Sequence, residues 1–138
     1  MISGRTLAQG VGCESKMTQE YFQAASTCSL SESDYKELKQ TEGKNILVRN
    51  RFGKVVLSSR MDSGLLQGII FIPYGPWANV ITGPDTGGCG MPQFKGIEVE
   101  VEYTDSNVKD IRSLFNDLLE KVKVTIKGDK RRIILLKL

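Results

Sequence analysis

The segment Phe71–Lys95, FIPYGPWANVITGPDTGGCGMPQFK, constrains the fold more than any other part of this chain of 138 residues. It contains all four prolines of the sequence, the only tryptophan and five of the 14 glycines. Proline fixes φ and lacks a backbone N–H donor, whereas glycine adopts conformations closed to other residues. The composition therefore predicts a long shaped loop that is neither a helix nor a simple strand. Long ordered loops are uncommon in compact domains and usually carry function.

The size and charge of the chain limit the classes of protein to which it can belong. A length of 138 residues suits one domain, and contents of 40% hydrophobic and 25% charged residues are typical of a globular protein. The net charge of +3 is too small to indicate nucleic acid or an anionic membrane by itself. The N-terminus lacks the basic and apolar regions of a signal peptide, and no apolar run approaches about 20 residues. We therefore expect a cytoplasmic protein without membrane contact.

The side-chain inventory argues against catalysis by this chain. The sequence has no histidine, which is the commonest general base and the commonest metal ligand. Its three cysteines, Cys13, Cys28 and Cys89, are widely separated and odd in number, so neither a disulfide framework nor iron–sulfur ligation is expected. Cys89 has no base candidate near it in sequence, which favours a packing role over a nucleophilic one. We expect no catalytic residue and no metal ligand here.

Outside the long loop, alternating and continuous apolar runs predict a mainly β core. The expected strands are Met1–Ser3, Ala24–Leu30, Ile69–Ile72 and Ile97–Tyr103, together with a hairpin that turns at Phe52-Gly53. Ser31 followed by Asp34 predicts an N-capped short helix that ends near Leu38. The stretch GRTLAQGVG after Ser3 mixes glycine with polar residues, which predicts a second loop.

The C-terminal part of the chain has a different pattern. Apolar residues fall at helical spacing from Val108 to Val122, which predicts an amphipathic helix of about four turns. Val122, Val124 and Ile126 then alternate, Gly128-Asp129 indicates a turn and another apolar run follows, so a terminal β-hairpin is expected. We therefore predict a β domain over residues 1–104 and a helix–hairpin extension over residues 105–138 that contacts another subunit.

The two glycine-rich loops together suggest a ligand that carries phosphate, because such loops let backbone N–H groups approach an anion closely. Arg5 lies in the first loop and Lys95 ends the second. Four further side chains supply amide groups or flat rings, and these are Gln9, Asn79, Tyr74 and Trp77. This set suits a nucleotide-like ligand. Tyr74 and Trp77 suit packing beneath the loop equally well.

Three segments carry a resemblance to a known family. They are Ser3-Gly4-Arg5, the string ANVIT at 78–82 and the string GMPQFK at 90–95, which leads into an alternating strand. Their order and spacing resemble the C-terminal cofactor-binding domain of the molybdopterin oxidoreductases. The longer strings FIPYGPWAN and GMPQFKG resemble a family of small formylmethanofuran dehydrogenase subunits from methanogenic archaea. The resemblance extends over roughly residues 1–103.

The resemblance implies a double-psi β-barrel with short helices that covers one side of a molybdopterin guanine dinucleotide (bis-MGD). Molybdenum or tungsten would be held by the pterin dithiolenes and by a side chain of the catalytic molybdopterin-binding subunit. The positions that match the family's motifs, and that it implies as cofactor contacts, are Gly4, Arg5, Thr6, Leu7, Gln9, Asn79, Phe94 and Lys95. Many relatives carry a histidine near Gln9, so an amide there keeps hydrogen bonding but removes a protonation switch.

The resemblance also implies the reaction and the partners of the assembled enzyme. The enzyme would reduce CO2 to formate at the metal centre and form formylmethanofuran during methanogenesis, with amidohydrolase-like and iron–sulfur subunits beside the catalytic one. Two alternatives stay open, a β-barrel assembly module that has lost its ligand and a nucleic-acid-binding module that uses the basic residues between Lys121 and Lys137. Glu120 and Asp129 interrupt that basic stretch and it lacks aromatics for base stacking, which favours a solvated or subunit-facing surface.

Overall fold

The structure, a computed structural model, describes residues 1–11, 14–38, 44–84, 88, 90 and 95–127, with only the backbone described over 121–127. The chain divides into two compact units, residues 1–108 and residues 109–138. Phe94, Cys13 and Cys89 lie outside the described residues, as do the side chains of the basic stretch from Lys121 to Lys137. Within the described ranges, no helix has the length and apolar character needed to cross a bilayer.

The first unit is built around one mixed sheet. Its strands are β1 (Ile2–Gly4), β2 (Thr27–Leu30), β3 (Asn45–Arg49), β4 (Lys54–Met61), β5 (Ile70–Pro73) and β6 (Glu100–Tyr103). They lie in the order β1-β5-β2-β4-β3-β6. The β1–β5 and β2–β4 pairs are parallel, whereas β2–β5, β3–β4 and β3–β6 are antiparallel. A sheet of six strands with short helices agrees with the expected fold class at this level of detail.

Five helices accompany the strands in the described residues. They are α1 (Leu7–Val11), α2 (Gln19–Ala25), α3 (Glu32–Glu37), α4 (Pro76–Val80) and α5 (Ile111–Lys127). The N-cap of α3 is the one predicted from the sequence, because the Ser31 hydroxyl accepts a hydrogen bond from the Asp34 N–H at 3.2 Å. The predicted hairpin between β3 and β4 is also confirmed.

Apolar side chains from both the sheet and the helices form the core. The largest fully buried side chains are Trp77, Leu30, Ile46, Leu57, Ile72 and Ile81. Inward-facing residues of β3 and β4 alternate with more exposed ones, as expected for strands with one buried face. The predicted strand at Ile97–Tyr103 is shorter than expected, and its glutamates are exposed while Val99 and Val101 are half-buried.

Both glycine-rich stretches that were expected to be loops contain a helix. The first prediction was wrong because Thr6 and Gln9 form a capping box, a signal of helix initiation that the glycines obscured. The second was wrong because Pro76 occupies the first turn of α4, where the missing N–H has no intrahelical partner to lose. Proline therefore helps to begin a helix in this segment.

Two further predictions of secondary structure need correction. The expected strand at Ala24–Leu30 begins only at Thr27, because α2 occupies the chain as far as Ala25 and is capped by the Thr18 side chain. The expected strand at Val122–Ile126 is part of α5. Val122 and Ile126 are four residues apart, a spacing that suits one face of a helix as well as alternation suits a strand. The remainder of the predicted hairpin lies outside the described residues.

Candidate cofactor site

The parallel pairing of β1 with β5 places the two glycine-rich segments side by side. Gly4 pairs with Pro73 and each is the last residue of its strand, so the two parallel strands terminate at the same end of the sheet. Immediately beyond the pair, the Tyr74 N–H donates to the Gly4 carbonyl oxygen at 2.8 Å. The segment that begins with Arg5 and the segment that begins with Tyr74 therefore leave the sheet together.

Gln9 connects these two segments. Its N–H donates to the Thr6 hydroxyl and its side-chain oxygen accepts from the Thr6 N–H, each at 3.2 Å, which is a capping box at the start of α1. The side-chain Nε2 of Gln9 donates to the carbonyl oxygen of Tyr74. Gln9 is buried, and both ends of its amide bond the protein itself. Its position is therefore that of a connection between α1 and the loop after β5.

The residues next to Gln9 in the first segment face outward. Arg5 is exposed, and its guanidinium has no hydrogen bond or ion pair with another described residue. Leu7 is 94% exposed, an unusual degree for an apolar side chain of that size. Gly4 is half-buried against the Phe71 ring, and a Cβ at this position would lie 3.3 Å from a ring carbon. The exposed side chains that this segment presents therefore include Arg5 and Leu7, whereas the Gln9 amide is bonded within the protein.

In the second segment, Trp77 and Asn79 have opposite environments although both lie on α4. Trp77 is fully buried, and its ring packs edge-on against Phe22 with centroids 5.5 Å apart. A side chain with no exposed surface cannot contact a ligand, so Trp77 has the packing role, one of the two roles expected from the sequence. Asn79 is exposed, and its side-chain amide has no partner in the part of the chain that the structure describes. Tyr74 is half-buried.

Lys95 lies on the other side of β1. It forms an antiparallel bridge with Ile2, and the Met1 backbone nitrogen donates to the Ile97 carbonyl oxygen at 2.7 Å. β1 is therefore flanked by β5 on one side and by the segment after Lys95 on the other. The Lys95 side chain is exposed and makes no ion pair with a described residue. Its neighbour Phe94 cannot be placed, because it is outside the described residues.

A cleft of about 690 Å³ opens between the β3–β4 turn and the segment that begins at Lys95. Its walls are residues 49–52, Gly83 and residues 95–100. Arg49, on one wall, forms two ion pairs that balance its charge: its Nε lies 2.8 Å from Glu100 and its Nη1 lies 3.6 Å from Glu102. The hydrogen bond to Glu100 and the two carboxylate charges raise the pKa of Arg49 above its ordinary value. The sequence pattern predicted the turn but not its role as a cleft wall.

Residues 1–98 match the family described as Molydopterin dinucleotide binding domain. The chain belongs to this family. The match confirms the resemblance inferred from the segments around Gly4, Asn79 and Lys95.

Two relatives are similar to this chain over more than two thirds of its length. Protein FwdD of Methanocaldococcus jannaschii is 40% identical over 117 residues, which cover 81% of this chain and 88% of that protein. A subunit of the molybdenum-containing formylmethanofuran dehydrogenase 1 of Methanothermobacter marburgensis is 39% identical over 99 residues, which cover 70% of this chain but 24% of that protein. The chain thus spans most of the first relative and about a quarter of the second.

A solved structure, acetylene hydratase from Pelobacter acetylenicus, overlaps 56% of this chain and 14% of its own length. The TM-score is 0.47 and the identity 19%, an overlap too slight to support an argument about the barrel.

The exposed polar side chains described in the two glycine-rich segments are two cations and one amide. Arg5, Lys95 and Asn79 are exposed, while Gly4, Thr6, Gln9 and Tyr74 form the structure between them. Among the described residues, no group of three His, Cys, Asp or Glu side chains is placed to hold a metal ion. Burial raises the pKa of the Cys28 thiol to about 12, so this cysteine is not a nucleophile at neutral pH.

Proposed function

We propose that this chain is the molybdopterin guanine dinucleotide-binding subunit of a formylmethanofuran dehydrogenase. The proposal depends on one observation: the segments that begin at Arg5 and Tyr74 leave the sheet together at the common end of β1 and β5. The Arg5 and Asn79 side chains on these segments are exposed. The relative from Methanothermobacter marburgensis, which is named for that enzyme, supports the assignment of the complex. In this role the chain covers one side of a cofactor whose metal is bound by another subunit.

The described residues fit such a cofactor. Its diphosphate needs cations, and two exposed cations lie near β1: Arg5 directly follows this strand and Lys95 pairs beside it. Its heterocycles need groups that both donate and accept hydrogen bonds, and the Asn79 amide does both. Gly4 lets the chain pass close to the Phe71 ring, where a Cβ would lie 3.3 Å from a ring carbon, and so supports the position of Arg5 beside it. Gln9 and Thr6 hold these groups in place and need not touch the ligand.

We also propose that the sheet closes as the double-psi β-barrel of the molybdopterin oxidoreductases. Support comes from the Ile2–Lys95 bridge, which links the first strand in the sheet order to the segment that leads into the last. The bridge falls five residues before Glu100, the start of β6, so the two edges meet with a stagger along the strands. A stagger of this kind is what closure of a sheet into a barrel requires.

The proposed division of labour gives this chain positional and electrostatic roles. When bound, the cofactor supplies the two-electron chemistry that converts CO2 to formate at molybdenum or tungsten. Arg5 and Lys95 neutralise its phosphate charge, Asn79 orients its heterocycle, and the body of the domain keeps water from that side. We expect the catalytic molybdopterin-binding subunit to hold the metal, and amidohydrolase-like and iron–sulfur subunits to complete the complex.

The proposal is tested in the assembled complex with the single variants Arg5→Ala, Asn79→Ala and Lys95→Ala. Guanine nucleotide and metal are measured per complex after purification. Each variant should retain less cofactor than the wild type, because a hydrogen bond to a charged group contributes about 1.5–3 kcal/mol. Arg60→Ala is the matched control, because Arg60 is also exposed but lies near the end of β4, at the opposite end of the sheet, where β5 begins. Unchanged nucleotide and metal content in all three variants would refute the assignment.

A further inference from the structure

The charge of the chain is divided unequally between its two units. Residues 109–138 contain nine Lys or Arg and four Asp or Glu, which gives a net charge of +5. Residues 1–108 contain ten Lys or Arg and twelve Asp or Glu, which gives a net charge of −2. The family match ends at residue 98, so the basic unit lies outside the domain that defines the family. A basic unit of this kind favours an acidic partner.

The helix α5 in this unit has a stripe of apolar side chains along one side. Ile111, Phe115 and Leu118 recur at intervals of four and three residues, and Leu114 and Leu119 border them. Phe115, Leu118 and Leu119 are exposed. Most of the stability of a helix in a protein comes from packing of its apolar face. The exposed part of the stripe therefore favours a partner that covers it.

The start of α5 is fixed by contacts within its own unit. The Asp110 Oδ1 accepts from the Ser113 N–H at 3.0 Å, and the hydrogen bonds with Ser113 lower the pKa of Asp110 below its ordinary value. Lys109 forms an ion pair with Asp117, about two turns further along. The first turns of α5 are therefore ordered without a partner, which reduces the entropy cost of binding one.

One edge of the apolar stripe is basic. Arg112 is exposed, and Leu119 follows it by seven residues, so the two lie on the same side of α5. Lys123 follows Arg112 by eleven residues, which is close to three full turns. The sequence of α5 from residue 121 to residue 127, KVKVTIK, contains three lysines and no carboxylate. Cations thus accompany the stripe toward the end of the helix.

The opposite face of α5 carries carboxylates. Asp117 and Glu120 are both exposed there. Helices that bind membrane surfaces or nucleic acids present Lys and Arg on their polar face, because lipid headgroups and phosphates are anionic. Carboxylates on this face would be repelled by either. The combination of an apolar stripe, a basic edge and an acidic outer face therefore favours a protein partner.

We propose that α5 binds an apolar groove on another subunit of the complex, and that Asp and Glu side chains border this groove. Phe115, Leu118 and Leu119 fill the groove, because they are the exposed members of the stripe. Arg112 and Lys123 pair with the bordering carboxylates, which gives the contact its charge complementarity. The inference rests on the proposed function, which makes this chain a subunit, and adds the chemistry of the surface that α5 meets.

The test measures binding of the full chain to the remaining subunits, assembled without it, at salt concentrations of about 50 and 500 mM. The double variant Arg112→Glu with Lys123→Glu should bind about tenfold more weakly than the wild type at the lower salt concentration. The difference should shrink at the higher one, because salt screens the charges. Lys16→Glu with Lys54→Glu is the matched control, since it changes the net charge equally on exposed lysines of residues 1–108.

Two further measurements accompany the binding assay. Circular dichroism should show unchanged helix content in the double variant, because a carboxylate is favourable near the start of a helix and unfavourable near its end. Carbodiimide cross-linking joins an amine directly to a carboxylate. In the assembled complex it should connect a lysine of residues 121–127 to an Asp or Glu of another subunit, identified by mass spectrometry.

Three outcomes would overturn the inference. The first is wild-type affinity of the Arg112→Glu, Lys123→Glu variant, together with no cross-link from residues 121–127 to another subunit. The second is a dimer of the isolated chain that Phe115→Ser abolishes, because the stripe would then bind a second copy. The third is binding to phosphatidylglycerol vesicles that Phe115→Ser abolishes, because the stripe would then bind a membrane.

The inference and the proposed function fail separately. If Arg5→Ala and Asn79→Ala lower the cofactor content while the charge-reversed α5 variant binds the other subunits like the wild type, only this inference fails. If the α5 variant binds weakly while Arg5→Ala, Asn79→Ala and Lys95→Ala keep the full cofactor content, the contact of α5 stands and the cofactor assignment fails.

Discussion

The side-chain amide of Gln9 donates a hydrogen bond to the backbone carbonyl oxygen of Tyr74, and this bond joins α1 to the loop after β5. The same amide accepts from the Thr6 N–H, so one buried side chain fixes the start of both segments of the candidate site. A buried amide that bonds backbone groups at both ends is costly to remove, because each backbone group then loses its partner. The connection is therefore a stability feature on which the site depends.

We expect Gln9→Ala to lower the free energy of unfolding by about 1–3 kcal/mol, since it leaves the Tyr74 carbonyl and the Thr6 N–H without this partner. Gln9→Glu should also destabilise, because a carboxylate cannot donate to a carbonyl oxygen. Urea denaturation followed by circular dichroism measures both. The matched control is Gln67→Ala, an exposed glutamine in the β4–β5 connection, which should stay within about 0.5 kcal/mol of wild type. Equal stability of Gln9→Ala and Gln67→Ala would show that the amide contributes nothing.

The sequence predicted the strands near β1 and β5, the β3–β4 hairpin and the N-cap of α3 because each depends on local pattern or turn chemistry. The motifs that carry the family resemblance also predicted Arg5, Asn79 and Lys95 as cofactor contacts, and the structure leaves all three side chains exposed. It missed α1 and α4, where glycine and proline outweighed the Thr6-x-x-Gln9 cap and the proline at the first turn. The cleft was beyond prediction, because it needs the long-range contact between Phe52 and Gly83.

Two glycines with opposite surroundings allow a paired test of the β3–β4 turn. A Cβ at Gly53 would lie 2.5 Å from the Val80 carbonyl oxygen, a backbone atom that cannot rotate away. We expect Gly53→Ala to destabilise the protein by about 1–3 kcal/mol. A Cβ at Gly10, within α1, would meet no heavy atom within 4 Å, so Gly10→Ala should stabilise by about 0.5–1 kcal/mol. Thermal denaturation of the two variants should therefore give shifts of opposite sign.

Burial makes Cys28 a source of alkaline instability. It raises the pKa of the thiol from its ordinary value of 9.0 to about 12. Above pH 9 the unfolded chain loses this proton while the folded chain keeps it, so the contribution to stability is complete below pH 9 and is lost as the pH rises toward 12. The limiting slope is about 1.4 kcal/mol per pH unit. Cys28→Ala should remove this part of the slope in urea denaturation between pH 8 and about 11.

The same burial predicts the reactivity of Cys28. The folded protein at pH 8 should leave Cys28 unmodified by iodoacetamide, since very little thiolate is present and the side chain is fully buried. The modification is followed by mass spectrometry of the peptide that contains Cys28, with urea-unfolded protein as the positive control. Rapid alkylation of this peptide in the folded state would contradict both the burial and the raised pKa.

The helix α5 carries exposed apolar side chains that suit contact with another subunit. Phe115 is 52% exposed, Leu118 40% and Leu119 55%. We expect deletion of residues 105–138 to release the chain from the complex, and Phe115→Ser with Leu119→Ser to weaken assembly at least tenfold, because burial of one large apolar side chain contributes about 1.5–3 kcal/mol. Size-exclusion chromatography with the tagged catalytic subunit measures assembly, and Asn116→Ser on the same helix is the control.

The two apolar substitutions replace exposed groups, so the isolated chain should keep its helical circular dichroism. Full assembly of the deletion variant would mean that the contacts with other subunits lie within residues 1–104.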